Sequence, residues 1–264
     1  MTKLGWPFAT PPNSAFTLNT ASPLSRGLVL WMPFVAGRGG LARDMIRNRV
    51  ATHYNAPTWM ANAQMGPGLS FVSASSQYIG AISIPTLTTS NGFTMCGWIR
   101  YTGGFGATQY SLSATNPFTD CMIGYAAFSG WRAVMGATNL TEPVEPDTQL
   151  QHIALVSHSA TDHRFYRNGR QVATSATNVS IDLEGYEIGR QSRGASSYWQ
   201  GEVYNSAIYN RALSPGEIWA LYNPATRWEL YRPAVRRFNV GTPAAPAAVL
   251  SPYYYLHLMQ GRRL

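Results

Sequence analysis

Hydrophobic and polar residues alternate in short runs along most of the chain, and turn residues separate these runs. The clearest run is Phe93–Tyr101, FTMCGWIRY. Successive side chains of a strand point to opposite faces, so this alternation predicts a β-strand. Similar runs predict strands within residues 25–34, 69–71, 77–79, 82–84, 105–135, 150–157, 163–167, 170–174, 186–189 and 200–209. A total of about eleven to thirteen short strands predicts an all-β protein.

Two segments carry the signals of hairpins. Residues 150–157 and 163–167 form an apolar pair of runs, and Asn168-Gly169 follows as a tight turn into the next run. Asn and Gly both tolerate positive φ, which makes Asn-Gly between alternating runs a strong hairpin signal. Residues 69–71 and 77–79 are also predicted to pair with each other as a hairpin.

The segment 201–222 combines a strand with a helix. In its first half, Val203 to Tyr209 are predicted to alternate without interruption, odd-numbered residues on one face and even-numbered residues on the other. Ser214 then provides a helix N-cap, Pro215 the first helical position and Glu217 the partner of a capping box. So short a helix is unstable alone in water, so we expect it to pack on an already folded domain.

This segment resembles the closing motif of laminin-G-like, concanavalin-A-like jelly-roll domains. The matching residues are IYNRALS at 208–214, Glu217-Ile218 and Leu221-Tyr222, and FYRNGRQVA at 165–173 resembles a hairpin of the same family. The resemblance implies a jelly-roll sandwich of two antiparallel sheets with a short closing helix. It covers residues 26–224, which leaves an extended N-terminal arm, 1–25, and a basic, Pro/Ala-rich C-terminal arm with an aromatic tail, 225–264.

Charge is concentrated at the two ends of the chain. The net charge is +8, of which residues 1–60 carry +5, residues 61–226 carry −2 and residues 227–264 carry +5. Such ends either remain solvated or dock on acidic surfaces of a partner; the aromatic tail could also pack back on its own sandwich. The arm residues predicted to contact a partner are Trp6, Phe8, Arg236, Arg237, Tyr253, Tyr255, Arg262 and Arg263.

The sequence predicts no disulfide, signal peptide or membrane span. The two cysteines, Cys96 and Cys121, lie in apolar runs and are expected to be small core residues rather than a disulfide. The N-terminus has no apolar run of signal-peptide length, and no stretch is long enough to span a membrane. We therefore expect synthesis in the cytoplasm without a signal peptide, and no membrane partner.

A second resemblance concerns the flanks of the sandwich. LNTASPLSRGLV at 18–29, and LYRP at 230–233 followed by Arg236-Arg237, are similar to phrases in virion and tail-region proteins of tailed bacteriophages. This implies location in a virion and a partner such as the major capsid protein or another virion protein. We also expect a homo-oligomer.

Catalytic and metal-binding patterns are weak. Relatives of the jelly roll include glucanases with a Glu-x-Asp-x-x-Glu strand, whereas residues 182–187 read Asp-x-Glu-x-x-Glu and are expected to be solvated carboxylates in a loop. His152, His158 and His163 flank a hairpin and are expected at the surface. The resemblance offers Asp44, Asn48 and Asp162 as weak candidates for a structural Ca²⁺ site, but Arg43, Arg47 and Arg49 oppose it. We predict no catalytic residue and no cofactor.

Aromatic residues beside polar loops are the candidates for carbohydrate binding. Tyr198 and Trp199 follow the polar loop GRQSRGASS, and Trp131 precedes Arg132. A sugar site needs a flat ring beside hydrogen-bonding groups, which these positions offer; for Trp199 the alternative is core packing against the closing helix. Arginine pairs without a recognition element do not indicate specific nucleic-acid binding.

Two functions follow from this sequence. The first is a non-enzymatic bacteriophage structural protein, a capsid decoration or head-surface protein whose arms bind the coat lattice while the jelly roll projects outward. The alternative is a carbohydrate-binding host-recognition module of a tail fibre or tail tip, with a host-surface glycan as partner.

Overall fold

The computed structural model describes residues 16–35, 38–103, 106–115, 120–191 and 196–234. The chain divides into two units, Met1–Pro233 and Ala234–Leu264. All described residues except Ala234 belong to the first unit, an antiparallel β-sandwich with one α-helix. In the described part of the chain, no helix is long and apolar enough to cross a membrane.

One eight-stranded sheet, called the front sheet here, provides one layer of the sandwich. From edge to edge it contains β12 (Thr138–Glu142), β11 (Gly130–Met135), β10 (Asp120–Ala126), β9 (Gln109–Thr115), β16 (Asp182–Ile188), β7 (Tyr78–Thr88), β4 (Val50–Tyr54) and β3 (Leu41–Arg43). Strands β9, β16 and β7 lie side by side although β16 comes late in the chain. The jelly roll thus brings distant sequence segments together at its centre.

The second eight-stranded sheet, the back sheet, provides the other layer. In order it contains β15 (Arg170–Ser175), β14 (Asp162–Arg167), β13 (Leu150–Ser159), β8 (Phe93–Tyr101), β17 (Gly201–Tyr209), β6 (Gly66–Phe71) and β5 (Thr58–Asn62), and β2 (Leu28–Met32) also pairs with β17. A separate two-stranded ribbon joins β1 (Phe16–Leu18) to β18 (Tyr231–Pro233). The helix α1 spans Pro215–Tyr222.

Apolar residues form two large clusters. The first fills the space between the sheets and includes Leu69, Ile99, Leu112, Phe165 and Trp199. The second lies on the outer side of the back sheet, where α1 and the segment 223–231 cover strands β8, β13, β14 and β17. Burial of this second face explains why the short helix is stable, because isolated helices of this length are not.

Several local predictions are confirmed. Strand β8 spans Phe93–Tyr101, and Asn168 and Gly169 adopt positive φ of 51° and 77° between β14 and β15. Ser214 accepts from the backbone of Glu217, and the Glu217 side chain accepts from the backbone of Ser214, which completes the capping box. Both cysteines are buried and free.

Other predictions are corrected. The run at 69–71 does not form a hairpin with 77–79, because a 3₁₀ turn at Ser73–Ser75 and left-handed Ser76 carry the chain from the back sheet to the front sheet. Residues 182–187 are strand β16 rather than a loop. Eighteen strands are present in the described residues, more than predicted, since several have only three residues.

The alternation predicted along β17 is interrupted by a bulge. Asn205 has a positive φ of 44°, and the pairing with β8 shifts between Tyr204 and Ala207. Tyr204 and Ala207 therefore lie in the same outer cluster, whereas Val203 and Ile208 face the central core. The Trp31 indole donates to the Asn205 side chain at 2.7 Å and fixes the bulge.

The folded unit extends further towards both ends of the chain than the predicted arm boundaries. Residues 16–25 contain β1 and a 3₁₀ turn, and Phe16 pairs with Pro233 across the ribbon. Residues 225–233 contain buried Trp228, Leu230 and Tyr231. The folded unit therefore begins before residue 26 and extends past residue 224.

Candidate functional site

Two stacked tyrosines mark one end of the front sheet. Tyr54 ends β4 and Tyr78 begins β7, and the two residues are direct cross-strand partners. Their rings are nearly parallel, with an interplanar angle of 4° and a centroid separation of 4.4 Å. Gly80 makes this possible, because a Cβ atom there would lie 2.7 Å from the Tyr78 ring and 3.0 Å from the Tyr54 ring. The rings therefore lean over a strand position without a side chain.

An arginine covers the other face of Tyr78. The guanidinium carbon of Arg190 lies 3.7 Å from the Tyr78 ring centroid, within cation–π range. Tyr54 and Arg190 are both too close to share one face, so they must lie on opposite sides of the ring. Glu187 holds the guanidinium in place through two hydrogen bonds, Nε to Oε2 at 2.7 Å and Nη2 to Oε1 at 2.8 Å.

Burial and neighbouring charges shift the pKa values of Tyr78 and Arg190. Burial raises the pKa of Tyr78, although the nearby Arg190 charge opposes the increase. Burial alone would lower the pKa of Arg190, but its hydrogen bonds to Glu187 and its charge environment raise it overall. At neutral pH the site therefore presents a neutral Tyr78 phenol and a charged Arg190 guanidinium.

Tyr198 completes the group. Its ring centroid lies 6.3 Å from that of Tyr78, and its phenol is among the neighbours that raise the pKa of Arg190. We call Tyr54, Tyr78, Tyr198 and Arg190 the tyrosine platform. Tyr54 is 39% exposed, and no other aromatic ring or cation of the described residues contacts its outward face. The platform thus offers one open aromatic face beside phenol and guanidinium donors.

The central part of the chain matches a known protein family. The family model of the concanavalin A-like lectin/glucanases superfamily, Laminin_G_3, matches residues 73–219. This is more than half of the chain. The chain belongs to this family. No curated protein sequence matches it.

Solved structures share the fold of this laminin-G-like domain. Domain 4 of AbnA, an extracellular arabinanase of Geobacillus stearothermophilus solved with arabinotriose, has a TM-score of 0.59 and 14% identity over 74% of this chain and 98% of that chain. The binding domain of botulinum neurotoxin DC, in complex with SialylT, has a TM-score of 0.60 and 9% identity over 76% and 52%. Trypanosoma rangeli sialidase has a TM-score of 0.57 and 20% identity over 75% and 33%.

These matches are informative about architecture. The chain spans nearly all of the arabinanase domain, about half of the neurotoxin domain and a third of the sialidase. The similar structures include glycosidases and binding domains. At such low identity they establish the fold alone.

Within this fold, two of the three predicted sugar-binding residues are core residues. Trp199 and Trp131 are each 0% exposed, so neither ring has a face that a sugar could reach. Trp199 packs 5.2 Å from Tyr101 in the central core, not against the closing helix. Trp131 packs edge-on against Tyr125. Tyr198 alone lies at an accessible surface.

The three calcium candidates do not come together. The Asp44 carboxylate is 1% exposed and accepts from the backbone of Trp31 and Ile46 and from Arg49. The Asn48 side chain accepts from Arg43, and Asp162 is paired with Arg164. Arginines thus engage all three side chains, and the described residues contain no group of three His, Cys, Asp or Glu able to hold a metal ion. These residues do not fit a Ca²⁺ site.

The acidic run at 182–187 is also arranged differently from the prediction. Glu187 is 9% exposed and committed to Arg190, whereas Asp182 and Glu184 are exposed. A retaining glycosidase needs one free nucleophile and one acid about 5–5.5 Å apart, and Glu187 is not free. Of the predicted surface histidines, His152 is 2% and His163 0% exposed, so both are core residues.

The sequence did not predict Tyr54, Tyr78, Arg190 or Glu187 as a site. Each lies at a strand end next to turn residues, but 24 positions separate the two tyrosines in the chain. The sequence signal that could have found them is the pair Tyr54, in HYN, and Tyr78, in QYI, because both tyrosines fall at solvent-facing positions of the alternating pattern. The predicted arm residues Trp6, Phe8, Arg236, Arg237, Tyr253, Tyr255, Arg262 and Arg263 lie outside the described residues.

Proposed function

We propose that this laminin-G-like domain binds carbohydrate, without hydrolysing it, at the tyrosine platform of the front sheet. The observation that carries the proposal is the open ring face of Tyr54, supported from behind by Tyr78 and Arg190. A sugar ring could stack its C–H face on Tyr54 while its hydroxyls accept from the phenol of Tyr198 and the guanidinium of Arg190. Sugar binding by two domains of the same fold, with arabinotriose and SialylT, supports this choice.

The ion pair adapts the platform to binding rather than to catalysis. Glu187 fixes the guanidinium through two parallel hydrogen bonds, a rigid geometry that orients donors. Because both oxygens of the Glu187 carboxylate accept hydrogen bonds from Arg190, this carboxylate is poorly placed to act on a glycosidic oxygen. The side chains of the platform are thus pre-organised, which reduces the entropy lost on binding a flexible ligand.

A glycan array tests the proposal. We expect the full-length protein to bind a restricted set of glycans, Tyr54→Ala to abolish the signal, and Tyr54→Phe to retain it because the ring remains. Trp219→Ala is the matched control, since Trp219 is 48% exposed but lies on α1. Equal binding by Tyr54→Ala and the unchanged protein would contradict the proposal, as would release of new reducing ends from the bound glycan.

A capsid decoration role is a second candidate, and one observation favours it. Phe16 and Pro233 are paired neighbours in the ribbon. The described part of this unit therefore starts and ends at neighbouring positions, from which both terminal segments could attach the domain to a coat lattice together. Their sequences carry Lys3 and four arginines without an acidic residue, in 1–15 and 235–264, which suits an acidic partner surface.

The attachment role has its own experiment. Deletion of residues 235–264 leaves the buried segment 225–231 intact, so we expect the domain to fold and yet dissociate from particles. Quantitative mass spectrometry of purified virions should then find high copy number for the full chain only. A few copies confined to the tail would contradict decoration and agree with host recognition by the glycan-binding domain.

A further inference from the structure

Phe128 occupies a strained and exposed position at the tip of the β10–β11 hairpin. Its φ is +55°, a left-handed conformation that bulky residues adopt rarely and glycine adopts without cost. Its side chain is 87% exposed. Packing within the domain therefore does not account for a phenylalanine at this position.

A small pocket lies beside this ring. Its volume is about 200 Å³, and Phe128, Ser129, Gly130, Val144 and Glu145 contribute to its lining. The main chain closes it tightly: a Cβ atom at Gly130 would lie 2.1 Å from the carbonyl oxygen of Glu142. Pockets for drug-sized ligands measure about 300–1,000 Å³, so this one suits a single ring rather than an extended segment.

The chemistry of the pocket is mixed. Phe128 and Val144, which is 43% exposed, offer an aromatic face and an apolar wall. Glu145 is exposed and has no hydrogen-bond or ion-pair partner in the part of the chain that the structure describes. The Ser129 hydroxyl lies in the same lining. An apolar ring face with a free carboxylate and a hydroxyl at the rim matches the C–H face and hydroxyl edge of a sugar.

The pocket and the tyrosine platform lie at the same end of the front sheet. Ile79, Ile188, Leu112 and Ile123 form one row across β7, β16, β9 and β10. Tyr78 and the β10–β11 hairpin both lie on the same side of that row, three strand spacings apart. At about 4.8 Å per spacing, Tyr78 and the hairpin are about 14 Å apart across the strands, and Tyr54, one strand further, is about 19 Å from the hairpin.

Hydrogen bonds join the two places through the start of β9. The backbone N–H of Tyr110 donates to the carbonyl of Ser197, next to Tyr198, at 3.1 Å. The N–H of Ala127, next to Phe128, donates to the Thr108 hydroxyl at 3.1 Å. The loop that carries Tyr198 and the hairpin that carries Phe128 are thus held against one short segment.

We propose that Phe128 and its pocket form a second glycan subsite, which holds a sugar ring of the same chain that the tyrosine platform binds. This inference rests on the proposed function and extends it to a substrate class: glycan chains long enough to span both places. Short fragments would occupy the platform only. The strain at Phe128 persists because the exposed ring contacts the ligand.

Substitution of Phe128 by glycine separates a ligand contact from a structural role. Phe128→Gly removes the ring and relieves the backbone, so we expect an unchanged or higher thermal unfolding midpoint. With long and short fragments of the array-selected glycan, calorimetric titration should show at least a tenfold weaker affinity for the long fragment and an unchanged affinity for the shortest fragment that binds. Glu145→Gln should weaken long-fragment binding less.

The controls and contrary outcomes are distinct. Val72→Ala removes another exposed apolar side chain, 41% exposed, and should change neither affinity. Unchanged long-fragment affinity in Phe128→Gly would overturn the subsite while leaving the proposed function intact. A lower unfolding midpoint with equal loss for both fragments would reveal a structural role instead. Loss of particle attachment without loss of glycan affinity would make Phe128 a protein contact, and absence of all glycan binding by the unchanged protein would overturn both proposals.

Discussion

The two sheets of the sandwich differ in what covers their outer faces. The chain covers the back sheet itself: α1 and the segment 223–231 pack over Trp98 and Tyr204, and Trp228 of that segment is buried in the same cluster. On the front sheet a separate apolar cluster has just three members, Tyr110, Met122 and Val134, and the tyrosine platform remains partly exposed. The same residue types therefore stabilise the fold on one face and are available for binding on the other.

Two arginines illustrate this difference. Arg227, on the back, lies 5.4 Å from both the Trp98 and the Trp228 rings, and burial lowers its pKa. No carboxylate pairs with it among the described residues. Arg190, on the front, is oriented by Glu187 and its pKa is raised. The back arginine is a packing element, whereas the front arginine holds its donors in a fixed direction, as recognition of a ligand requires.

The largest expected effect is on the covered face. Trp228→Ala should lower the free energy of unfolding by about 3–5 kcal/mol, because Trp228 is 2% exposed and its removal leaves a cavity. Urea unfolding followed by tryptophan fluorescence measures the change. Trp219→Ala, at a residue 48% exposed, should cost no more than about 1 kcal/mol. Similar losses in the two variants would mean that the covering layer is not part of the core.

A pH effect follows on the same face. His152 is 2% exposed, next to Trp98, and burial lowers its pKa from 6.5 to about 3. As pH falls from about 6.5 towards 3, His152 binds a proton in the unfolded state but stays neutral in the folded state. The free energy of unfolding therefore decreases over this range. The contribution is at most about 1.4 kcal/mol per pH unit.

The measurement compares urea unfolding at pH 7, 5.5 and 4. His152→Gln should show a shallower decline than the unchanged protein, because its side chain does not titrate. His53→Gln is the control at the front sheet: the pKa of His53 is also lowered by burial, but this residue is only half-buried, so its variant should follow the unchanged protein more closely. If the free energy of unfolding fell equally with pH in His152→Gln and in the unchanged protein, His152 would not be buried and neutral in the folded state.

A smaller effect concerns the helix that covers the back sheet. Ser214→Ala removes the N-cap hydrogen bond to Glu217 and should cost about 1 kcal/mol. Ser214→Asp keeps an acceptor at the N-cap and should restore most of that loss. If alanine and aspartate proved equally stable at pH 7 in urea unfolding, the capping box would not contribute to the packing of α1.

The difference between local and long-range information explains which elements the sequence predicted. Strand β8, the Asn168-Gly169 turn and the capping box depend on neighbouring residues, and all three were predicted correctly. The phase of β17 after Asn205 depends on a bulge fixed by Trp31, 174 positions away. Local patterns do not contain that contact.

The candidate site was harder to predict for the same reason. Trp199 and Tyr198 are adjacent in the chain, yet one is 0% exposed and packs on Tyr101 while the other lies on the surface. Tyr54 and Tyr78 meet only because β4 pairs with β7. Aromatic residues beside polar loops indicate a possible sugar site, but sheet pairing decides which of them face solvent.

The smallest effect on stability belongs to the platform itself. Tyr54→Ala removes a stacked pair with Tyr78 and should cost about 0.5–1 kcal/mol, far less than Trp228→Ala, because the ring is already 39% exposed. Urea unfolding and glycan titration on the same preparations provide both readouts. We expect little change in stability together with lost binding for Tyr54→Ala, and the reverse for Trp228→Ala at temperatures where it remains folded. A loss of 3 kcal/mol or more for Tyr54→Ala would make its ring a structural element, and the two faces would then not differ in the way described.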